Sequence, residues 1–479
     1  MSPTYELRVT ETQWRRLYDH LFPGDDDEHG AAILAGVAHT TNGVRLIARD
    51  VILAQDGVDY VPGRRGYRML TADFVQEVSD RAAEEGLAYI AVHCHGGTTG
   101  VGLSSADRAS QERGYPALLD ILGGQPVVGA VFAVASAAGD VWLPDRSRHP
   151  LDRVVVSGTT RLLITPNLRD VDTCEGDYTR QALLFGDRGQ ELLRRATVVV
   201  VGCGGIGSIL VELLARLGVG HLIVIDDDVV EPTNLPRWVG ARRLDAMEWL
   251  TRDGRPAWVR RIGRRFARPK VNVAARIAKR ANKRCEVTRI NGDVSHEDVA
   301  RTLTGADYIF LAADSFRARL VVNAVAFQYG IPAVQLGAKV AVRKADGAIT
   351  DVFSVVRPFG PETGCLWCNN LIPPTRLAEE AVGVEQAGRQ RYVDDPDVAA
   401  PSVVTINSVA ASHAVNEFMF HITGLPRAHA GTNYFRALPI TGEVEYTTPR
   451  QGPECSECGD IRASRRGRAD GRTLPTTDR

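Results

Sequence analysis

Along the first 165 residues, short apolar runs alternate with amphipathic stretches. GAAILAGVAHT, VRLIARDVIL and LAYIAVHCH carry the pattern of strands. TADFVQEVSDRAAEEG places its apolar residues at helical spacing. PVVGAVFAVASAAGDVWL reads as two strands with a turn at Ala138-Gly139-Asp140. An α/β or α+β unit is expected here. A second unit begins near Asp177. ELLRRATVVVVGCGGIGSILVELLARLGVGHLIVIDDD reads as helix end, buried strand, glycine turn, helix and strand, a βαβ unit of a parallel sheet. ADYIFLAAD and GIPAVQLGA supply further strands. The arginine-rich segment between Arg237 and Lys270, with EWLTRDGRPAW, reads as a surface insertion. RASRRGRADGRTLPTTDR, after Gly459, is polar and predicts disorder. No internal repeat is visible. The expected division is 1–165, 166–460 and a disordered tail, 461–479.

A chain of 479 residues exceeds one ordinary core. Its composition is 44% apolar and 24% charged, with a net charge of −1. That near-neutral balance argues against a general nucleic-acid binder. No run of about 18 apolar residues offers a membrane span. MSPTYELRVT lacks the basic and apolar regions of a signal peptide, so a cytoplasmic location is expected. Eight cysteines in such a chain point to metal or reactive thiols rather than to a disulfide scaffold. All five lysines fall between Lys270 and Lys344. A GC-rich genome explains the excess of arginine, and it makes a lysine at a chemically useful position less plausible as filler.

AVHCHGGTTGVGLSSADRAS, residues 91–110, holds the first chemistry. His93 and His95 close a predicted strand and, two apart, point to the same face. Asp107 falls in the first turn of a predicted helix with Ser104 at its N-cap. Two nitrogens and a carboxylate with one open position suit a catalytic zinc. Glu28, just before AAILAGV, is the candidate general base. The bland alternatives are a chance histidine pair, a capping aspartate and a solvated acidic run. Together the residues resemble the JAMM (JAB/MPN-plus) metalloisopeptidases: Glu28 with Gly36, then His93-x-His95, then Ser104-x-x-Asp107. The resemblance covers roughly residues 1–150. It implies that His93, His95 and Asp107 hold zinc, that Glu28 is the base and that Ser104 helps stabilise the oxyanion. Gly96 stands where the family usually has proline, and the loop to Ser104 is one residue longer.

GCGGIG, residues 202–207, follows a strand and opens a helix, so Gly202, Gly204, Gly205 and Gly207 let phosphate approach a helix N-terminus. Asp226, about 20 residues on, completes a dinucleotide fingerprint, and alone this favours an NAD oxidoreductase. The residues downstream favour adenylation. Asp228, Asn234 and Arg237 lie in IDDDVVEPTNLPR, Lys270 in ARPK, and Asp314, Arg319 and Asn323 in AADSFRARLVVN. When a carboxylate attacks the α-phosphate of ATP, cations must neutralise the phosphates and a carboxylate must hold magnesium. Arg237 and Lys270 suit the first role and Asp314 the second. From YTRQALLFG to CSECG the chain resembles the ThiF/MoeB/ubiquitin-activating-enzyme superfamily. The resemblance implies a homodimer in which Arg180 reaches the partner's ATP site. Trp238 and Ser315 replace the family's usual Gln and Asn, and the insertion after Arg237 is longer than in small bacterial members.

Cys365-x-x-Cys368 and Cys455-x-x-Cys458 supply four thiolates for a structural zinc, with a redox pair as the rival. The family's thioester cysteine would fall near Val393, where this chain has none. Adenylation without an enzyme thioester is therefore expected; Cys174 and Cys285 remain unplaced. The fold class expected is α/β, a JAMM-like domain followed by a Rossmann-like doubly wound adenylation domain with a four-cysteine zinc site. The function implied by the two resemblances is cleavage after the C-terminal glycine of a ubiquitin-like or sulfur-carrier β-grasp protein, then adenylation of that glycine. A conjugating enzyme or a sulfur donor would be a further partner, and deconjugation uses the same zinc chemistry. The alternatives are sulfur-carrier activation for cofactor, cysteine or siderophore synthesis, and a modifier-binding scaffold with one dead half.

Overall fold

A computed structural model describes residues 3–25, 27–41, 43–63, 68–98, 100–167, 176–343, 348–381, 402–425 and 433–477. The chain forms two compact units. The first comprises Met1–Asp170, Phe327–Gly330 and Arg462–Thr473; the second comprises Val171–Ala326, Ile331–Ile461 and Leu474–Arg479.

The first unit runs β1 (Thr4–Thr10), α1 (Glu11–Leu21), β2 (Gly30–Thr40), β3 (Gly43–Leu53), α2 (Ala72–Glu85), β4 (Ala88–Cys94), α3 (Ser105–Ile121), β5 (Val127–Ala133), β6 (Ser136–Trp142), β7 (Arg148–Pro150), β8 (Arg153–Ser157) and β9 (Arg161–Ile164). Its strands form one mixed sheet in the order β7-β6-β5-β4-β2-β3-β1-β8-β9. Alternation along β2 sends Ala31, Ile33, Ala35 and Val37 into one apolar core and Ala32 and Leu34 into another. The strand is thus buried on both faces, which explains its nearly unbroken apolar run. Thr10 caps α1 with a capping box, and Gly86 ends α2 at φ 63°.

Two expectations are corrected here. Gly139 is not in a turn: it pairs with Ala130 inside β6, and the hairpin turns after Ala133. A Cβ at Gly139 would lie 2.5 Å from the Gly129 carbonyl oxygen, so this glycine serves a close approach between strands. The tail is ordered where it is described. Ser464, Arg465 and Ala469 are buried. Arg465 donates to Gln328 Oε1 at 2.7 Å, and Arg468 donates to Glu85 Oε2 at 2.9 Å. The backbone of Gly467 and Arg468 lies against Gly36 of β2. Carboxylates and carbonyls distant in sequence satisfy the charges that make this segment look solvated.

The second unit holds α4 (Thr179–Arg195), β10 (Thr197–Val201), α5 (Gly205–Leu217), β11 (His221–Ile225), α6 (Glu248–Thr251), α7 (Ala257–Phe266), α8 (Lys270–Ala281), β12 (Glu286–Ile290), α9 (Glu297–Arg301), β13 (Tyr308–Leu311), α10 (Phe316–Gln328), β14 (Ala333–Val342), β15 (Ile349–Phe359), α11 (Pro374–Ala381), α12 (Val404–Thr423), β16 (Tyr434–Leu438) and β17 (Glu443–Thr447). The strand order is β12-β11-β10-β13-β14-β15-β16-β17. The first five strands in that order are parallel; from β14 onward the pairs are antiparallel. The chain winds from β10 out to β12, then returns to β13 on the other side of β10. This Rossmann-like doubly wound sheet therefore has its topological switch point between β10 and β13, where open α/β sheets bind ligands beyond their strand C-termini.

The insertion after Arg237 is a surface feature built on α6 and α7, with Trp249, Trp258 and Phe266 exposed. Buried Asp245 fixes it to α8 through a two-pronged pair with Arg276, at 2.6 and 2.8 Å. No helix among the described residues is long and apolar enough to cross a membrane.

Candidate functional site

In the first unit, β4 ends at His93 and Cys94, held between Gly30 of β2 and Val131 of β5. The His93 and His95 Nε2 atoms approach to 3.0 Å. Asp107 Oδ1 lies 3.3 Å from the first, and its Oδ2 lies 3.5 Å from the second. Glu28 Oε1 is 3.8 Å from His95 Nε2. All four side chains are partly exposed. Ser104 is the N-cap of α3: its hydroxyl accepts from Asp107 N at 3.1 Å, and its own N–H donates to Asp107 Oδ2 at 2.7 Å. Burial raises the Asp107 pKa, but hydrogen bonds from His93 and Ser104 overcome it, and the group stays ionised far below the usual carboxylate range. Two imidazole nitrogens facing each other and an anionic oxygen beside both fit a divalent cation with nitrogen and oxygen preference.

The residues that set Glu28 in place carry no motif in the sequence. His29 N donates to Cys94 Sγ at 3.1 Å, and the His29 ring meets Asp25 at 2.9 Å. Gly30 N donates to the Tyr60 hydroxyl at 2.9 Å, and the Arg68 guanidinium lies 3.7 Å from the Tyr60 ring centre. The cysteine between the two histidines thus tethers the backbone next to Glu28. Its alternation, opposite to the histidines on the strand, was the one available signal.

In the second unit the glycine turn sits at the C-terminal end of β10. Gly202 has φ 91°, and a Cβ there would lie 2.6 Å from Ala313 N, so the turn touches the segment that leaves β13. At Gly207 a Cβ would come within 1.9 Å of the Gly202 carbonyl oxygen; only glycine lets α5 pack this close. Asp226 accepts from Cys203 N at 2.7 Å and from Asp228 N at 3.0 Å, so both its oxygens shape the turn. Lys270 donates to Asp228 at 2.6 Å and lies 3.6 Å from Asp226. Burial pushes the Lys270 pKa down, but the two carboxylates outweigh it and raise the pKa overall.

Arg237 lies beside Gly205, and its N–H bonds Asn234 O at 3.1 Å; Asn234 in turn caps Glu231 N. Asp314 is exposed, two residues past the Ala312 carbonyl that faces Gly202. Gly204, Gly205, Asp226, Asp228, Arg237, Lys270 and Asp314 therefore share one edge of the sheet. Arg180 stands apart on an exposed turn of α4, and no contact among the described residues brings it to the glycine turn. Asn407 of α12, which no sequence motif marks, adds a buried amide 2.6 Å from where a Gly205 Cβ would be.

Cys365, Cys368, Cys455 and Cys458 converge, their sulfurs all within 4.8 Å. Cys365–Cys455 and Cys368–Cys458 are each 3.7 Å apart, too long for disulfides. Backbone N–H groups of Cys368, Gly452 and Glu457 donate to Cys365, Cys368 and Cys455 sulfurs, each at 3.4 Å. Four sulfurs so arranged suit a closed tetrahedral metal site. Asn323 is not at the nucleotide edge. Fully buried, it bonds Glu457 and Leu366 N and so ties one clip to the other. Cys285 is also fully buried, and burial pushes its thiol up to about 11. Cys174 and the expected thioester position near Val393 lie outside the described residues.

Residues 178–458 match the ThiF family, more than half of the chain. The SAMP-activating enzyme E1 of Haloferax volcanii is 28% identical over 59% of this chain and 88% of its own length. A sulfur carrier protein ThiS adenylyltransferase of Bacillus subtilis is 34% identical over 33% of this chain and 42% of its own. A sulfur carrier protein adenylyltransferase of Thermus thermophilus is 28% identical over 59% and 90%.

Proposed function

The chain belongs to the ThiF family, and we propose on that premise that it adenylates the C-terminal glycine carboxylate of a ubiquitin-like or sulfur-carrier β-grasp protein, after exposing that carboxylate by zinc-dependent cleavage in a JAMM-like first unit. The adenylation half rests on the family match and on relatives named as activating enzymes or carrier-protein adenylyltransferases. The cleavage half is carried by one observation: His93, His95 and Asp107 converge, with Glu28 at 3.8 Å from His95.

In the first step Glu28 takes a proton from the attacking water and returns it to the departing amine. A zinc ion held by His93, His95 and Asp107 would polarise the carbonyl and make water more acidic. Ser104 stands beside Asp107, where it helps receive the oxyanion. In the second step the new carboxylate attacks the α-phosphate of ATP and pyrophosphate leaves. Lys270 and Arg237 neutralise the phosphates at the glycine turn, and Asp314 would hold magnesium. Arg180 completes the partner's site in a homodimer. The four-cysteine cluster would hold a second, structural zinc. Thiols that bind metal rather than oxidise fit a cytoplasmic setting.

The buried Cys285 supports release of a free adenylate rather than an enzyme thioester at that residue. A sulfur donor or the thiol of a conjugating enzyme then attacks the glycyl carbonyl of the adenylate, and AMP leaves. Transfer to sulfur is favoured by the two relatives named for sulfur carrier proteins.

The test is intact mass spectrometry of a glycine-tailed β-grasp protein bearing extra C-terminal residues, incubated with the enzyme, zinc, magnesium and ATP. Loss of the extra residues followed by gain of an adenylate is expected. Adenylation of a pre-trimmed substrate without any trimming of the extended one would remove the cleavage half alone.

A further inference from the structure

Two guanidinium groups in the second unit are half-buried without a carboxylate. Arg319 lies in the first turn of α10. Its Nε is buried and has no hydrogen-bond partner. One Nη donates to Leu371 O at 3.2 Å, and the group lies 4.7 Å from the Phe316 ring centre. Arg357, on β15, donates to Gln335 Oε1 at 2.8 Å. Neither makes an ion pair among the described residues. Other buried or half-buried arginines are paired: Arg8 and Arg45 with Glu6, and Arg276 with Asp245. Asp314 and Glu380 are close enough to favour the Arg319 charge but form no ion pair with it, and burial outweighs them. Glu380 accepts from Phe316 N and Arg317 N, and Asp314 is exposed at the nucleotide edge.

The topology gives the pair its place. Gln335 sits level with Leu311, the last residue of β13, and directly opposite Arg357. Arg357 is therefore at the same sheet edge as the glycine turn, on the side away from β11. Arg319 follows Asp314 by five residues. Burial lowers the pKa of both arginines, that of Arg357 to about 10, and the Arg319 charge adds to the effect on Arg357. Desolvated cations without an ion-pair partner are costly, and a bound anion offsets the cost. A guanidinium fork matches the planar two-oxygen face of a carboxylate. The phosphate-neutralising cations, Lys270 and Arg237, are on the other side of the switch point.

We propose that Arg319 and Arg357 form an oxyanion subsite that receives the free C-terminal carboxylate of the protein substrate and positions it for attack on ATP. The inference deepens the adenylation reading and rests on it. The subsite would distinguish a trimmed chain from one whose glycine is still in peptide linkage, because an amide offers no anionic pair of oxygens. Phosphate and pyrophosphate share the oxyanion chemistry and are the competing occupants.

The experiment uses the full chain with acetyl-glycylglycine, its C-terminal amide, inorganic pyrophosphate and magnesium-ATP, read by calorimetric titration and thermal shift. Acetyl-glycylglycine is expected to bind and raise the Tm, and the amide is not. Arg357→Gln should weaken acetyl-glycylglycine by about tenfold or more, leave magnesium-ATP affinity unchanged, and keep or raise the unliganded Tm. If that variant fails to fold, Arg357→Lys retains the charge without the fork and should show the same selective loss. A wild type that binds ATP but ignores acetyl-glycylglycine overturns the inference. So does a loss confined to pyrophosphate, which would assign the pair to the nucleotide. A wild type that fails to bind ATP would instead undo the adenylation reading.

Discussion

His93 and His95 present their Nε2 atoms to each other at 3.0 Å, with the Asp107 carboxylate beside both. Strand alternation puts the two rings on one face, and the capping box of α3 fixes the carboxylate. Elemental analysis should therefore find two zinc ions per wild-type chain and one in His95→Ala. Glu28→Gln should keep both ions while slowing cleavage by roughly 10²- to 10⁴-fold. Equal zinc content in wild type and His95→Ala would refute the site.

Lys270 reaches the glycine turn through Asp228 and Asp226. Lys270→Ala should lower ATP–pyrophosphate exchange by on the order of 10²-fold while the chain stays folded. Gly207→Ala should also abolish exchange, but by displacing α5 from Gly202, so its unfolding temperature should fall as well. Circular dichroism melts separate the two causes.

The four-cysteine cluster joins segments some 90 residues apart, and Asn323 braces both clips. Cys458→Ser, or a strong chelator, should remove one zinc and destabilise the second unit by about 3 kcal/mol or more. Denaturant melts with and without chelator would show it; a Tm indifferent to both would argue against a structural metal.

Gly36 faces the tail so closely that a Cβ would lie 2.3 Å from the Gly467 carbonyl oxygen. Gly36→Ala should therefore act in the same direction as deletion of residues 462–479, which also removes the Leu474–Arg479 piece of the second unit. Both should lower the stability of the first unit by roughly 1–3 kcal/mol and expose the α2 region to protease. If the deletion leaves the melting curve unchanged, the tail is not part of that unit's core.

Glu6 is buried, which raises its pKa, but Arg8, Arg45, Arg153 and Arg161 overcome this and hold it well below the usual 4.5. Its folded pKa is therefore below its unfolded one, so the unfolded chain takes up the proton first as pH falls. The stabilisation is complete above about pH 4.5 and is lost progressively below it. Glu6→Gln should reduce overall stability and flatten the acid limb of a stability-against-pH curve. An unchanged acid limb would contradict this assignment.

Elements whose partners are local were legible. The βαβ unit around GCGGIG, the His-x-His strand end and the Ser104 cap all follow from short-range periodicity and capping chemistry. What escaped is non-local. The tail reads as solvated because Glu85 and Gln328, which satisfy its arginines, are distant in sequence. Gly139 reads as a turn because the strand that needs its missing side chain, β5, becomes adjacent only on folding. Asn323 looks like a nucleotide residue by its spacing from Asp314, yet helix rotation aims it at the cysteine clips. Tyr60 and Arg68 carry no motif at all; their part in fixing Gly30 arises from packing.

The tail segment Arg462–Thr473 belongs to the same unit as β1 and β2. On the ribosome, the residues around Glu28, His93 and Asp107 emerge hundreds of residues before the piece that packs on β2. A nascent first unit must wait, incompletely closed, until that piece has been made. The core of the unit that begins the chain is thus completed by one of the last pieces to be made. A premature stop ahead of residue 462 would leave the unit made first without its last packing piece.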